Sequence, residues 1–299
     1  MNPATAPAQP AKPKHPAGRQ PNVHTGLPWL AIALISALIV AATVAAGWYA
    51  WRQTQQRFAA EMHASAFAQT QRLADWHQER LAVAGRLQHR NSLEQLWVRF
   101  LTQPAGERLV LLDRFMVSYA DAPSITRIEL FDAGLRSLWD SALQPSSEHP
   151  VLYQGLQTLL AQRRAGVIGP WRDAQGRVRL AYVGLLAPPG QPPALVALHV
   201  DPPPYFHAAL LQWPLPYTRG SARLFTLRDG AVQFWSELPT SAQPRSGLVP
   251  EHGFAQRLLR GEIKAGQLVS GQDDLGNPAL GLLHPVPGTD WWVQIEVDR

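Results

Sequence analysis

Between Arg19 and Arg52 the chain carries no charged residue, and within that interval Trp29–Trp48 reads WLAIALISALIVAATVAAGW. About 20 apolar residues at ~1.5 Å each match a ~30 Å hydrocarbon core. Trp29 stands at one end, and Trp48, Tyr49 and Trp51 at the other, where amphipathic rings favour the headgroup boundary. Ser36 and Thr43 return their hydroxyls to helix carbonyls and do not spoil the run. A buried helix of a soluble protein seldom stays uncharged for this length. Residues 29–50 therefore read as a transmembrane helix, and everything else must be arranged around a membrane.

The preceding segment, residues 1–28, holds seven prolines and few large apolar groups, too little to bury to support folding. Lys12, Lys14 and Arg19, with no acidic residue beside them, favour the cytoplasmic side for this disordered tail. A cleavable signal peptide would have a shorter apolar core and a small-residue cut site, so the span is predicted to be an uncleaved anchor. The expected location is a bacterial inner membrane, single-pass, with residues 51–299 in the periplasm.

Outside the tail, 24 basic residues face 22 acidic ones, and no basic stripe with interleaved aromatics argues for nucleic acid. Cysteine is absent, which excludes disulfides, thiol catalysis and cysteine-based metal sites. The ten histidines show no metal-ligand spacing. No nucleophile elbow, HExxH or phosphate loop is present, so no catalytic constellation and no cofactor is read here.

Residues 51–103 form the predicted stalk. Trp51–Leu101 has no proline, one glycine (Gly85) and many good helix formers. Phe58, Met62, Leu73, Trp76, Leu81, Ala84 and Leu87 recur at mostly helical spacing. Asn91-Ser92-Leu93-Glu94-Gln95 offers a capping box, with Ser92 as N-cap and Gln95 three residues on, which predicts a break near 91 and a shorter helix to about Gln103. A further helix is expected over Glu107–Tyr119. The apolar stripe suits either a homodimer through the stalk or packing against the chain's own domain.

From Ser124 the period becomes that of strands, and an internal repeat emerges. ITRIELFDAGLRSLWD (125–140) and SARLFTLRDGAVQFWSE (221–237) share a strand–turn–strand plan. A helical stretch follows each, at 149–163 and 251–260. Three closing strands come next, over 166–201 and 266–298, with turns at Asp173–Gly176 and Asp274–Gly276. Proline–glycine turns then coincide at Pro188–Gly190 and Pro287–Gly288. Alternation places Ala194, Val196, Leu198 and Val200 on one face, and Trp291, Val293, Ile295 and Val297 likewise. Each unit reads β-β-α-β-β-β, a five-stranded antiparallel sheet with covering helices, in an α+β fold.

The order of these elements, with Phe131-Asp132-x-Gly134 and Pro287-Gly288-Thr289-Asp290-Trp291-Trp292, resembles the double-Cache (tandem PAS-like) sensor family of bacterial histidine kinases, diguanylate cyclases and chemoreceptors. The resemblance covers roughly 29–299. It implies a membrane-distal module at 104–215, a membrane-proximal module at 216–299, and a small-molecule ligand. It also implies a second membrane helix and an output domain, beyond residue 299 or in a partner. The amino-acid-binding members carry an Arg-x-Trp-Tyr type signature that Gly169-Pro-Trp171-Arg172-Asp173 does not match, so an amino-acid ligand is not implied.

In such modules the ligand lies between the sheet and its covering helix, which makes Trp139, Asp140, Tyr153, Trp171, Arg172, Arg179 and Tyr182 the candidate ligand-binding residues. Arg172 or Arg179 suits a carboxylate and Trp171 or Trp139 a pocket wall. The bland alternatives stay open: Trp139 as core filler and Arg179 as a solvated side chain. Asp132 and Asp229 read as turn formers. The sequence thus predicts a membrane-anchored sensor that is not itself an enzyme. Its rival is an anchored protein–protein interaction module using an exposed Trp292 and the proline-rich 201–216 stretch.

Overall fold

The computed structural model describes residues 26–88, 91–103, 125–142, 149–211, 220–236, 253–273 and 276–298. The expected helix over 107–119 and the turn residue Asp274 lie outside them. Helix α1, Gly26–Gln88, is a single 63-residue helix. Its apolar first half is long and apolar enough to cross a membrane, with its side chains exposed. The chain divides into two units, residues 1–56 and 57–299.

Within the second unit, α1 is followed by α2 (Asn91–Thr102) and two sheets. The first sheet comprises β1 (Ile125–Phe131), β2 (Ser137–Asp140), β3 (Gly166–Arg172), β4 (Val178–Leu186) and β5 (Ala194–Val200), with helix α3 (Pro150–Ala161) between β2 and β3. Helix α4 (Pro203–Leu211) leads to the second sheet: β6 (Gly220–Arg228), β7 (Ala231–Phe234), β8 (Val269–Gln272), β9 (Pro278–Pro285) and β10 (Trp291–Asp298), with α5 (Phe254–Leu259) between β7 and β8. Strand order is β2-β1-β5-β4-β3 in one and β7-β6-β10-β9-β8 in the other, so the repeat read from the turns is a repeat of topology.

The duplication extends to single hydrogen bonds. The Ile128 amide donates to Ser141 Oγ at 2.9 Å, and the Leu224 amide donates to Ser236 Oγ at 2.8 Å. The Asp173 carbonyl accepts from the Gly176 amide at 2.8 Å, and its counterpart is Asp273, whose carbonyl accepts from Gly276 at 3.0 Å. The pairing of Asp173 with Asp274 is corrected by one residue. At Asp229-Gly230 both residues adopt positive φ, 52° and 72°, as a tight two-residue hairpin requires.

Each sheet has a face toward α1, here the stalk face, and an opposite outer face. Met62, Leu73, Trp76 and Ala84 of α1 are buried with Ile128, Leu130, Tyr182, Val196 and Leu198 of the first sheet and Leu224, Trp291, Val293 and Ile295 of the second. The helical stripe is thus spent on the chain's own domain. Trp97 of α2 is tied down by donating its indole N–H to the Pro192 carbonyl at 2.8 Å. Trp292, expected to be exposed, is half-buried and stacks on Phe225 at 6.3 Å. The 203–211 part of the proline-rich stretch is α4, which buries Phe206, Ala209 and Leu210.

On α1, His77 is 2% exposed and its Nδ1 pairs with the Tyr182 hydroxyl at 3.0 Å. Burial lowers the His77 pKa, opposed by the Asp290 charge, so the ring meets the tyrosine in its neutral form. Removing one partner of a buried hydrogen bond costs ~1–3 kcal/mol. Tyr182→Phe is therefore expected to destabilise the chain by that amount, read as a lower urea midpoint at unchanged slope.

Candidate functional site

The outer face of the first sheet is built by strand alternation under α3. Pro150 occupies the first turn of α3 after an extended His149, where its missing N–H costs nothing. Leu152, Leu156 and Leu159 then point to the sheet, meeting Phe131, Ile168, Trp171, Ala181, Val183 and Leu195. The approach is close because glycine stands on both sides. A Cβ on Gly155 would lie 2.6 Å from Ile168 Cγ2, and one on Gly166 would lie 2.5 Å from Leu159 Cδ2.

Beside this apolar half runs a polar row. Arg127 pairs with His199 across β1 and β5, and Glu129 stands opposite Asp140 across β1 and β2. The Arg127 guanidinium donates Nε to Asp140 Oδ1 at 2.8 Å and Nη2 to Oδ2, the bidentate geometry that suits arginine. Glu129, fully buried, has Oε2 at 3.3 Å from His199 Nε2 and 3.5 Å from Arg127 Nη2. Burial pushes its pKa up, but hydrogen bonds from His199 and Ser137 and the Arg127 charge outweigh this and hold it below the ordinary value. The face thus carries a carboxylate that stays ionised inside the fold.

At the open end of β3 and β4, Asp173 accepts from the Gln175 and Arg177 amides at 3.0 and 2.9 Å and from Arg179 Nε at 2.9 Å. Burial raises its pKa, and these donors overcome it, holding the carboxyl at about 2.

Of the seven residues named from sequence, four share this face. Trp171 is buried with its ring 5.8 Å from that of His149, and Tyr153 sits edge-on to Phe131 at 6.1 Å. Asp140 and Arg179 are held by Arg127 and Asp173. Tyr182 and Trp139 lie on the stalk face instead, where burial pushes the Tyr182 hydroxyl pKa up. Arg172 stands at the rim and donates to the Phe234 carbonyl of the second module at 3.3 Å. Arg127, Glu129, His199 and Asp173 were not named. The signal for Arg127, Glu129 and His199 was charge at alternate positions inside apolar strands, as in T-R-I-E-L and A-L-H-V, whereas Asp173 stands in the turn after β3.

The second sheet has the corresponding outer face, and it is filled. Phe254 of α5, fully buried, lies over Gly271 and Gly281, where a Cβ would come within 2.7 Å of its ring. Arg223, Gln294 and Glu296 are buried beside it, with Arg223 Nη2 at 3.4 Å from Glu296 Oε1. A cleft of about 440 Å³ at the sheet edge is lined by Arg257, Arg260, Glu262, Gly271 and Gln272. Glu262 already pairs with Arg260 at 2.9 Å and Arg257 at 3.5 Å. Among the described residues no three metal-ligating side chains converge.

Because the Asp173 pKa is depressed on folding, its contribution to stability is complete above its unfolded value near 3.8 and is lost as pH falls toward about 2. The melting-temperature gap between wild type and Asp173→Asn is expected to be positive near neutral pH and to close across that window in a calorimetric pH series.

No protein-family model matches the chain, and no curated protein matches it in sequence. Solved structures do match it in fold. The ligand-binding domain of the Pseudomonas aeruginosa amino acid chemoreceptor PctB, complexed with L-Arg, superposes with a TM-score of 0.56 at 14% identity, covering 82% of this chain and 96% of that one. The ligand-binding domain of PctC from the same organism, complexed with GABA, gives 0.54 at 17% identity, covering 81% and 100%. The extracellular domain of rpHK1S-Z16, described as a histidine kinase, gives 0.54 at 14%, covering 83% and 96%. The chain has the fold of these bacterial sensor domains, the double-Cache arrangement that its sequence resembles.

Proposed function

We propose that the chain is a membrane-anchored sensor, with residues 29–50 in the bacterial inner membrane and residues 51–299 on the periplasmic side. Its distal module, 104–215, binds a small polar molecule on the outer face of the first sheet. Occupancy is passed through α1 to the membrane. The observation that carries this reading is the continuity of α1. One helix contains the apolar run at its start and, from Met62 onward, the stripe buried against both sheets.

The polar row and the apolar half together suit a compact ligand with a charged end and a short hydrocarbon body. Arg127, His199 and Arg179 favour an anionic group, Glu129, Asp140 and Asp173 an ammonium group, and Trp171 and Tyr153 the hydrocarbon part. The chemoreceptor domains of like fold were solved with L-Arg and with GABA, so amino compounds head the set to be tested although the Arg-x-Trp-Tyr signature is missing.

The test is a thermal-shift screen of the full chain in mild detergent with amino acids, polyamines and short carboxylates. A binder raises the melting temperature with concentration, by ~2.7 kcal/mol of added stability at a hundredfold excess over Kd. His199→Gln and Arg179→Gln are expected to lower the unliganded melting temperature while leaving the chain folded, and to remove the shift. If nothing in the three classes moves the transition, or if both variants respond like wild type, the outer face is not the binding site.

A further inference from the structure

Two arginines cross between the sheets in opposite directions, one leaving the rim of the candidate site and one arriving beside it. Arg228, at the end of β6, donates Nη2 to the Gly169 carbonyl at 2.8 Å and Nε to Asp290 Oδ2 at 2.6 Å. Arg172, at the end of β3, donates Nη2 to the Phe234 carbonyl at 3.3 Å and Nη1 to the Gly176 carbonyl at 2.8 Å. We infer that Arg228 is a positioning residue for the first module's site, and that this reciprocal clasp links the site to α1.

The carbonyl that Arg228 holds is not an arbitrary one. Gly169 sits where the β3–β4 register shifts, between Ile168 and Trp171, which both belong to the outer-face core. Its φ of +104° is open to glycine and strained for other residues. A Cβ there would lie 2.7 Å from Trp171 Cε3 and 3.1 Å from the Arg179 carbonyl. The bulge therefore fits directly against Trp171, and moving it moves the wall of the site.

At the other end of the fork, Asp290 belongs to the turn between β9 and β10, which rests on α1. A Cβ on Gly288 would lie 2.8 Å from Gln78 Nε2, and the Trp291 ring meets His77 at 5.2 Å and Trp76 at 6.5 Å. His77 bonds Tyr182 of the first sheet, so the contacts close a circuit from Trp171 through Gly169, Arg228, Asp290, Trp291 and His77 back to β4. A guanidinium holds its donors in one rigid plane. It cannot follow the bulge carbonyl without pulling on the Asp290 carboxylate.

The inference rests on reading the outer face as the ligand site, but its test uses no ligand, so the two stand or fall separately. Hydrogen exchange is followed by mass spectrometry on the full chain in detergent for wild type, Gly169→Ala, Arg228→Gln and the double variant. Arg228 and Asp290 are 38% and 48% exposed at their side chains, so cutting the clasp opens no core. Gly169→Ala is expected to speed exchange locally in β3 and β4 and remotely in the 286–294 turn. In the double variant the local change persists and the remote change is lost. Remote changes of equal size with and without Arg228, or none at all beside a clear local one, would overturn the inference. Should Gly169→Ala fail to fold, Trp171→Phe replaces it with the same two outcomes.

Discussion

Everything in residues 57–299 depends on one helix being buried by two sheets at once. Trp76 stacks on Tyr205 of α4 at 4.7 Å and meets Tyr182 of the first sheet edge-on at 6.1 Å and Trp291 of the second at 6.5 Å. His77, the next residue, touches the same two strands. Neither sheet has a stalk-face core of its own, since one continuous cluster runs through α1, α2, α4 and both sheets. Interiors are packed like crystals and pass displacement on rather than absorbing it. A shift of either sheet is therefore felt by α1.

The carboxylates on the outer face of the first sheet are tolerated because they are paired on that face. Glu129 answers to His199 and Arg127, Asp140 to Arg127, and Asp173 to Arg179 and two amides. A buried ion pair adds little net stability, since desolvation offsets most of the attraction. The second sheet buries a corresponding group, Arg223, Gln294 and Glu296, on its own outer face.

The element order was legible because both period and punctuation were strong: an unbroken helical stretch, then alternation with turn residues at matching offsets. The faces were less so. β4 is buried along almost its whole length, so its apolar run carries no in-versus-out signal. Tyr182 shares parity with Leu180 and Leu186 on the stalk face, while Arg179, Ala181 and Val183 look the other way. Trp139 was ambiguous for a related reason, since a four-residue edge strand is too short to fix a face. Arg127 and Glu129 stood in plain view, but nothing local distinguishes a buried charge from a solvated one until the partner strand brings His199 and Asp140 alongside.

The two modules show what became of one plan used twice. Arg127 and Arg223 hold equivalent registers, facing His199 and Gln294 across the strand that each sheet receives last. In the second module Phe254 has settled onto Gly271 and Gly281, and those two glycines admit it only because they lack a Cβ. In the first, the helix instead closes down on β3 through Gly155 and Gly166, at one side of the sheet, and its leucines share a core with Ala181 and Ala197. What differs between the two faces is the side chain that covers them, leucines of α3 on the first and Phe254 of α5 on the second.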